Sequence, residues 1–254
     1  MSPGGKKLSL HRKLRDSIVP GLINSQYAYH ALLSSEIAPG ERWLDIGGGH
    51  SLLPDWLDDT LPKQLELVGR CAEVVGLDPV DDRPHMAAIK KIRGSAEQLP
   101  FPNNSFTLVT VNMVVEHLEN PETVFREIVR VLAPGGRFII HTPNRRHPFV
   151  AASLMAPKGV RSYVASLIDG RDAIDIFPTY YRMNTAKDIA RLAQQVGLAA
   201  AEIRYVESSP FFARLLPLVL PEYLLIRAMR KPSFARYRPD LIVVLKKPEG
   251  ALPN

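Results

Sequence analysis

Short apolar runs alternate with segments of helical apolar spacing along most of the chain. Apolar runs of strand length predict strands at ERWLDIG (41–47), EVVGLD (73–78), Ile89–Ile92, SFTLVTVNM (105–113), RFIIHT (137–142), AAEIRYVE (200–207) and DLIVVLKK (240–247). Helical spacing predicts helices over 16–37, with a break at Pro20-Gly21, and over Leu52–Leu57, Lys63–Ala72, 121–132 and 185–198. Strands that alternate with helices at this spacing indicate a parallel sheet with right-handed crossovers.

Two stretches interrupt the alternation. Residues 143–182 contain two short helical patterns and the aromatic turn FPTYYR, and residues 208–239 are apolar and then basic. We therefore expect a single domain over 1–254, with an N-terminal tail and lid helix at 1–37 and with 143–182 and 208–239 as insertions on the acceptor side. Within the apolar run 211–229, the two prolines are expected to break a long helix.

The formal net charge of +6 is concentrated in two short segments. Residues 1–15 and residues 226–238 each carry five basic residues and no acid, so the remaining residues carry 22 basic against 26 acidic side chains, or −4. This distribution argues against sequence-specific nucleic-acid binding. For 211–238 two interpretations stay open, a core-packing insertion or a segment that contacts a membrane surface or an apolar or anionic acceptor.

The single cysteine, Cys71, excludes a disulfide framework and a cysteine-based zinc site. No apolar run approaches the roughly 20 residues that span a bilayer, and the basic N-terminus lacks the apolar stretch of a secretory signal. We expect a cytoplasmic protein, with peripheral membrane association as an open alternative.

The segment WLDIGGG, residues 43–49, is the most informative motif. Its glycines allow a sharp turn and a close approach of a ligand to the backbone. An acid inside the loop, Asp45, suits an ammonium group better than a pyrophosphate, which is bound by bare N–H groups at a helix N-terminus. The dinucleotide pattern G-x-G-x-x-G also fails, because Leu52 occupies the third glycine position, which disfavours a nicotinamide oxidoreductase.

Further motifs follow in a fixed order. These are VVGLDP, GSAEQLPFPNNSFTLV, VVEHL and VLAPGGRFIIHTPN. Together with WLDIGGG, they make residues 40–144 resemble the class I S-adenosylmethionine-dependent methyltransferases of the type 11, quinone-biosynthesis and small-molecule group. The resemblance implies a Rossmann-like, doubly wound seven-stranded sheet whose last strand is antiparallel.

The resemblance also implies which residues bind S-adenosylmethionine, and its product S-adenosylhomocysteine. The methionine part would be lined by Asp45, Gly47, Gly48 and Gly49. Asn112 and Met113 would line the site near the sulfonium.

The second and third motifs would bind the nucleoside part. Asp78 would accept the ribose hydroxyls, Pro79 would contact the adenine face, and the Ala96 N–H would reach the adenine ring. Family members often carry an acid directly after the glycine of the third motif. Here Ser95 takes that place, so the contact to the adenine amino group would either be weaker or pass to Glu97.

Three histidines are candidate general bases near the carboxyl ends of strands four and five: His117, His141 and His147. A base is needed only for a weakly acidic acceptor, because in-line geometry supplies most of the rate of methyl transfer. His117 is alternatively a packing residue, His141 a core histidine and His147 part of a loop. Some relatives hold a metal with E-x-x-E-H, but Met113 replaces the first acid, so we expect no required metal.

The sequence thus predicts methyl transfer to a small-molecule or lipid-like acceptor, at oxygen. Two alternatives remain open, a methyltransferase acting on RNA or protein and a non-catalytic protein that binds S-adenosylmethionine. Against the former, no N/D-P-P-Y/F motif follows strand four, and Cys71 lies outside the predicted site.

Overall fold

The computed structural model describes residues 13–48, 51–80, 86–156, 178–213 and 216–250. The strands are β1 (Arg42–Ile46), β2 (Glu73–Asp78), β3 (Lys90–Arg93), β4 (Phe106–Asn112), β5 (Leu132–Pro143), β6 (Ala199–Val206) and β7 (Asp240–Lys246). The α-helices are α1 (Ser25–Glu36), α2 (Thr60–Arg70), α3 (Pro121–Val131), α4 (Pro148–Met155), α5 (Ala186–Gln195) and α6 (Leu216–Met229), and a short helical stretch covers 13–18.

The strands form one seven-stranded sheet in the order β3-β2-β1-β4-β5-β7-β6. The strand pairs β1–β2, β1–β4, β2–β3 and β4–β5 are parallel, and β7 is antiparallel. The register places Asp45 beside Thr110 and Asn112 beside His141. The chain order reverses between β1 and β4, which is the point where open α/β sheets bind ligands. The predicted fold class is confirmed.

Helix boundaries follow local sequence signals. α3 begins with Pro121, whose missing N–H costs nothing in a first turn, and buries Val124 and Ile128. α5 begins after Thr185, whose hydroxyl accepts the N–H of Asp188, and the helix ends just before Gly197. The predicted boundaries of these helices hold to within one to three residues.

Three predicted elements differ from the structure. Residues 52–57 form turns rather than a helix, because Pro54 interrupts the segment and the Leu57 N–H closes a short turn on the Pro54 carbonyl. β5 begins at Leu132 and not at Arg137 as predicted, because residues 132–136, which follow α3 directly, already belong to the strand. α6 continues through Pro217 and Pro221: the first lies in the opening turn, and the second forfeits one backbone hydrogen bond.

The chain folds into two compact units. The sheet unit comprises Gln26–Pro143, Thr179–Arg204 and Leu241–Asn254. The helical unit comprises Met1–Ser25, Asn144–Pro178 and Tyr205–Asp240. The predicted single domain with acceptor-side insertions stays a prediction, and one of the two helical patterns predicted in 143–182 lies outside the described residues.

Candidate functional site

Asp45 occupies the carboxyl end of β1, and its side chain is 2% exposed. Gly47 follows with φ 78°, and a Cβ at Gly48 would overlap the Asp45 Oδ2 atom. The loop is therefore shaped so that the backbone passes directly over the carboxylate. Gly49 lies outside the described residues.

Burial raises the pKa of Asp45 to about 7, and the charge of Asp78 adds to the effect. The Thr110 hydroxyl opposes it by donating a 2.5 Å hydrogen bond to Asp45 Oδ1. Thr110 in turn accepts the indole N–H of Trp43 at 2.7 Å, so its own proton is directed at the carboxylate. Such a buried acid gains most from a cationic partner, because a nearby positive charge favours its ionised form.

Asn112, at the end of β4, is held by a side chain from α1. Gln26 and Asn112 exchange two amide hydrogen bonds of 3.0 and 3.1 Å. The Asn112 Oδ1 atom lies 2.8 Å from His141 Nδ1 and, in this arrangement, accepts its N–H. The contact therefore selects the Nδ1–H tautomer of His141 and leaves Nε2 as an acceptor.

His141 is fully buried, and its ring stacks on that of Tyr29 with centroids 5.1 Å apart. Burial lowers the pKa of His141 to about 3 and raises that of Tyr29 well above its usual value. Among the described residues, neither His141 Nε2 nor the Tyr29 hydroxyl has a hydrogen-bond partner. Two oriented polar atoms, one acceptor and one hydroxyl, therefore lie in the interior of the sheet unit.

Asp78 lies at the carboxyl end of β2, next to the end of β1. Its Oδ1 atom accepts the Val80 N–H at 2.8 Å, which orients the carboxylate in the turn after the strand. Pro79 is exposed, and its carbonyl accepts the Arg93 side chain. An exposed proline ring beside an oriented acid is compatible with the predicted ribose and adenine contacts.

The third motif forms a tight turn after β3. Ser95 pairs with Gln98 in an isolated antiparallel bridge, and its hydroxyl accepts the Glu97 N–H. Glu97 Oε1 accepts the side-chain amide of Asn120 at 3.1 Å. Ala96 is half-buried between them. If Glu97 accepted a hydrogen bond from the adenine amino group, as predicted, the adenine would therefore compete with Asn120 for the Glu97 carboxylate.

Met113 follows β4 with φ 55°, which is uncommon for a residue with a side chain, and its N–H bonds to the His141 carbonyl at 2.8 Å. His117 is half-buried in the short 3-10 helix Val115–His117. The neighbouring Glu116 is buried and accepts the Thr142 hydroxyl at 3.1 Å. This contact ties the loop after β4 to the end of β5.

His147 belongs to the helical unit and is buried beneath aromatic rings rather than in a solvated loop. Its ring stacks on Phe211 at 5.2 Å and meets the edge of Phe149 at 5.4 Å. Burial lowers the pKa of His147 to about 4. A neutral histidine whose conjugate acid is this strong is a poor proton acceptor near neutral pH.

A surface cleft of about 440 Å³ lies between α3 and α5. Two ion pairs lie within the cleft: Arg126 bonds Glu122, and Arg191 lies 3.6 Å from Asp188. None of the predicted site residues lines it. Within the described residues, no cluster of three or more His, Cys, Asp or Glu side chains could hold a metal ion.

The described residues fit the positive charge of S-adenosylmethionine. The buried carboxylate of Asp45 suits a cationic group, and the loop above it admits no side chain at Gly48. When bound, the cofactor supplies an electrophilic methyl group on a sulfonium. In the predicted arrangement, Asp45 would hold the ammonium and Asp78 would orient the ribose.

Comparisons with known proteins bear on the family and the fold. Residues 44–140 match the family described as "Methyltransferase domain". The ubiquinone/menaquinone biosynthesis C-methyltransferase of Ectopseudomonas mendocina is 29% identical over 138 residues, which are 50% of this chain and 51% of that protein. The chain thus spans about half the length of the curated relatives it matches.

Solved structures share the fold. A methyltransferase of Mesorhizobium loti, described as S-adenosylmethionine dependent, has a TM-score of 0.55 at 18% identity over 88% of this chain and 98% of that one. The [4+2]-cyclase SpnF has a TM-score of 0.54 at 17% identity over 97% and 96%. Likeness at this identity establishes the fold alone, and the cyclase shows that the fold also hosts other chemistry.

Residues 44–140 thus match a methyltransferase domain, and this family implies S-adenosylmethionine as the cofactor. The predictions of family, cofactor and methyltransferase class are confirmed at this level. The roles of the individual site residues stay predictions. Among the described residues, no helix is long and apolar enough to cross a membrane.

Sequence reasoning missed several residues of the site. Gln26, Trp43 and Thr110 act on the predicted residues Asn112 and Asp45. Period-two spacing could have found Trp43, which shares a strand face with Asp45, and Thr110, which shares one with Asn112. Gln26 carries no such signal, because only the folded chain brings it to the sheet.

Proposed function

We propose that the chain transfers a methyl group from S-adenosylmethionine to a small-molecule acceptor. The observation that carries the proposal is the buried carboxylate of Asp45 beneath the turn at Gly47 and Gly48. Binding the ammonium of the cofactor there would stabilise a charge that the free protein holds at a cost. The match of residues 44–140 to the methyltransferase domain family supports the same conclusion.

The acceptor, we propose, is a molecule whose hydroxyl is more acidic than that of an alcohol, such as a phenol or a hydroquinone. Two of the three candidate bases, His141 and His147, have pKa values of about 3 and 4, so neither is suited to withdrawing a proton near neutral pH. An acceptor that ionises without a strong base removes that requirement. Transfer to its oxygen is the primary proposal, as the sequence predicts.

Transfer to a ring carbon is the second candidate. It is favoured by the similarity to proteins named C-methyltransferases of ubiquinone and menaquinone biosynthesis. An ionised hydroxyarene has nucleophilic oxygen and carbon positions, so the chemistry of the acceptor supports both candidates. The position of the acceptor against the methyl group would decide between them.

The test is a product analysis with purified protein. The protein is incubated with S-adenosylmethionine carrying a ¹³C methyl group and a panel of phenols, hydroquinones and naphthols. We expect a product that is heavier by one methylene, and its carbon shift distinguishes a methoxy group from a ring methyl group. The Asp45→Asn variant should lose turnover, whereas Asp55→Asn, an exposed acid outside the site, should retain it.

Three outcomes would overturn the proposal. Label recovered only in the RNA or protein fraction of a host extract would favour the macromolecular alternative. Tight binding of S-adenosylhomocysteine without turnover of the panel or the extract would favour a non-catalytic binding protein. Preference for NAD over S-adenosylhomocysteine in calorimetric titration would refute the cofactor.

A further inference from the structure

The outward face of α6 in the helical unit is apolar over its whole length. Leu218, Leu220 and Leu224 are 46%, 43% and 55% exposed, and the exposed Pro217 and Pro221 lie on the same side. These five residues are called the leucine face below. Surface leucines scattered singly are ordinary, but several on one side of one helix make a contiguous patch of the kind that marks an interaction site.

The opposite side of α6 is anchored in the core of the helical unit. Val219, Tyr223 and Ile226 are buried and pack with Val19 and Leu22. The spacing 219, 223, 226 is that of one helix face, so packing settles which side of the helix points outward. The leucine face is therefore held outward by the fold.

The exposed charges of the segment that contains this helix have one sign. Between residues 208 and 239 the sequence has six basic residues and a single acid, Glu222. Glu222 is buried and accepts the N–H groups of Phe211 and Phe212 at 2.6 and 2.9 Å, so it does not contribute a surface charge beside the leucines. The surroundings of the leucine face are thus free of exposed acid from its own segment.

The five of these basic residues that the structure describes divide into two groups. Arg230 pairs with Glu207 at 2.9 Å, and Arg238 donates to the carbonyls of Met229 and Tyr205. Lys231 and Arg236, in contrast, are exposed.

Arg227, at the edge of the outward face, is likewise exposed. Asp16, in the N-terminal part of the same unit, is paired with Arg15. The three exposed cations therefore stand beside the C-terminal end of the leucine face.

We propose that the leucine face and the adjoining cations dock the protein on an anionic lipid surface. α6 has 14 residues, too few for the roughly 20 that cross a bilayer, so the helix would lie in the interface with its leucines among the acyl chains. Lys231, Arg236 and Arg227 would contact lipid phosphates. A symmetric contact with a second copy is disfavoured, because it would bring these like charges together.

Sedimentation with vesicles tests the proposal without requiring methyl transfer. The full chain is mixed with vesicles of phosphatidylglycerol and phosphatidylcholine in equal parts, and separately with phosphatidylcholine alone. We expect binding to the anionic vesicles that weakens as salt is raised, and little binding to the neutral ones. Failure to bind anionic vesicles at low salt would overturn the proposal.

Paired variants separate the leucine face from general surface hydrophobicity. Leu220→Ser/Leu224→Ser should weaken binding by about tenfold, since each side chain is about half exposed and available for burial in lipid. The matched control is Leu61→Ser/Leu65→Ser on α2, with the same spacing and exposures of 58% and 48%. Equal binding by the two double variants would refute the role of the leucine face.

Charge variants test the role of the exposed cations beside the leucine face. Lys231→Gln/Arg236→Gln should weaken binding by roughly fivefold for each residue lost. Lys187→Gln/Lys246→Gln, which removes two exposed cations of the sheet unit, is the control and should change binding little. Circular dichroism and thermal melting confirm that each variant is folded. A concentration-dependent dimer that the leucine variant abolishes, without vesicle binding, would identify a second copy as the occupant and overturn the lipid proposal.

Discussion

Affinity for S-adenosylhomocysteine should depend on pH through Asp45. In the free protein this carboxyl has a pKa of about 7, because it is buried and the hydrogen bond from Thr110 offsets the burial only in part. Binding a ligand ammonium requires the ionised form, so below pH 7 the ligand must displace a proton. The dissociation constant then rises about tenfold for each pH unit. Between pH 7.5 and pH 5.5 the ionised fraction, and with it the affinity, falls about 25-fold.

The free energy of unfolding should depend on pH in the opposite direction from the affinity. The folded pKa of Asp45 is raised above its unfolded value of 3.8, so its contribution is fully present below pH 3.8 and is lost as pH rises to about 7. This rise in the pKa of Asp45 corresponds to a loss of at most about 4 kcal/mol in the free energy of unfolding. At pH 8, Asp45→Asn without ligand should therefore be more stable than wild type by up to that amount. At pH 4 the difference should nearly vanish.

Isothermal titration calorimetry and urea denaturation measure the two effects. Titrations with S-adenosylhomocysteine at several pH values, in buffers of different ionisation enthalpy, count the protons released on binding. We expect about one proton below pH 6 and nearly none above pH 8. The control, Asp55→Asn, should keep the wild-type pH dependence. An affinity that is flat between pH 5.5 and 7.5 would refute the reasoning, as would an Asp45→Asn variant that binds as tightly as wild type.

Three substitutions test other parts of the structure. Gly48→Ala should abolish binding of S-adenosylhomocysteine in calorimetry, whereas Gly69→Ala in α2, where a Cβ meets nothing within 4 Å, should leave binding intact and add up to about 1 kcal/mol of stability. Lys247→Met should cost about 3 kcal/mol in urea denaturation, because the buried ammonium donates to three oxygens at 2.7–3.0 Å. Glu222→Ala should lower the melting temperature, because the backbone N–H groups of Phe211 and Phe212 lose the carboxylate that accepts their hydrogen bonds. An unchanged melting temperature would contradict a stabilising role for Glu222.

The local signals that predicted elements correctly were strong and redundant. α3 combines a proline at its first position with a regular apolar stripe, and α5 combines the Thr185 cap with a terminal Gly197. Where signals conflicted, the predictions were wrong. Residues 52–57 have helical spacing but contain Pro54, and the turn prevailed. α6 contains Pro221 but is buried along one side, and packing outweighed the lost hydrogen bond.

The order of motifs along the chain was sufficient for the fold, the domain family and the cofactor, because each motif ends a strand and parallel strands end at one edge of the sheet. It also placed Asp45 and Asp78 at that edge. The pKa of Asp45, the tautomer of His141 and the burial of His147 depend on desolvation and on partners distant in the chain. Such effects depend on all the surrounding groups that the packed structure brings together. Two of the three candidate bases, His141 and His147, are therefore buried, weakly basic groups.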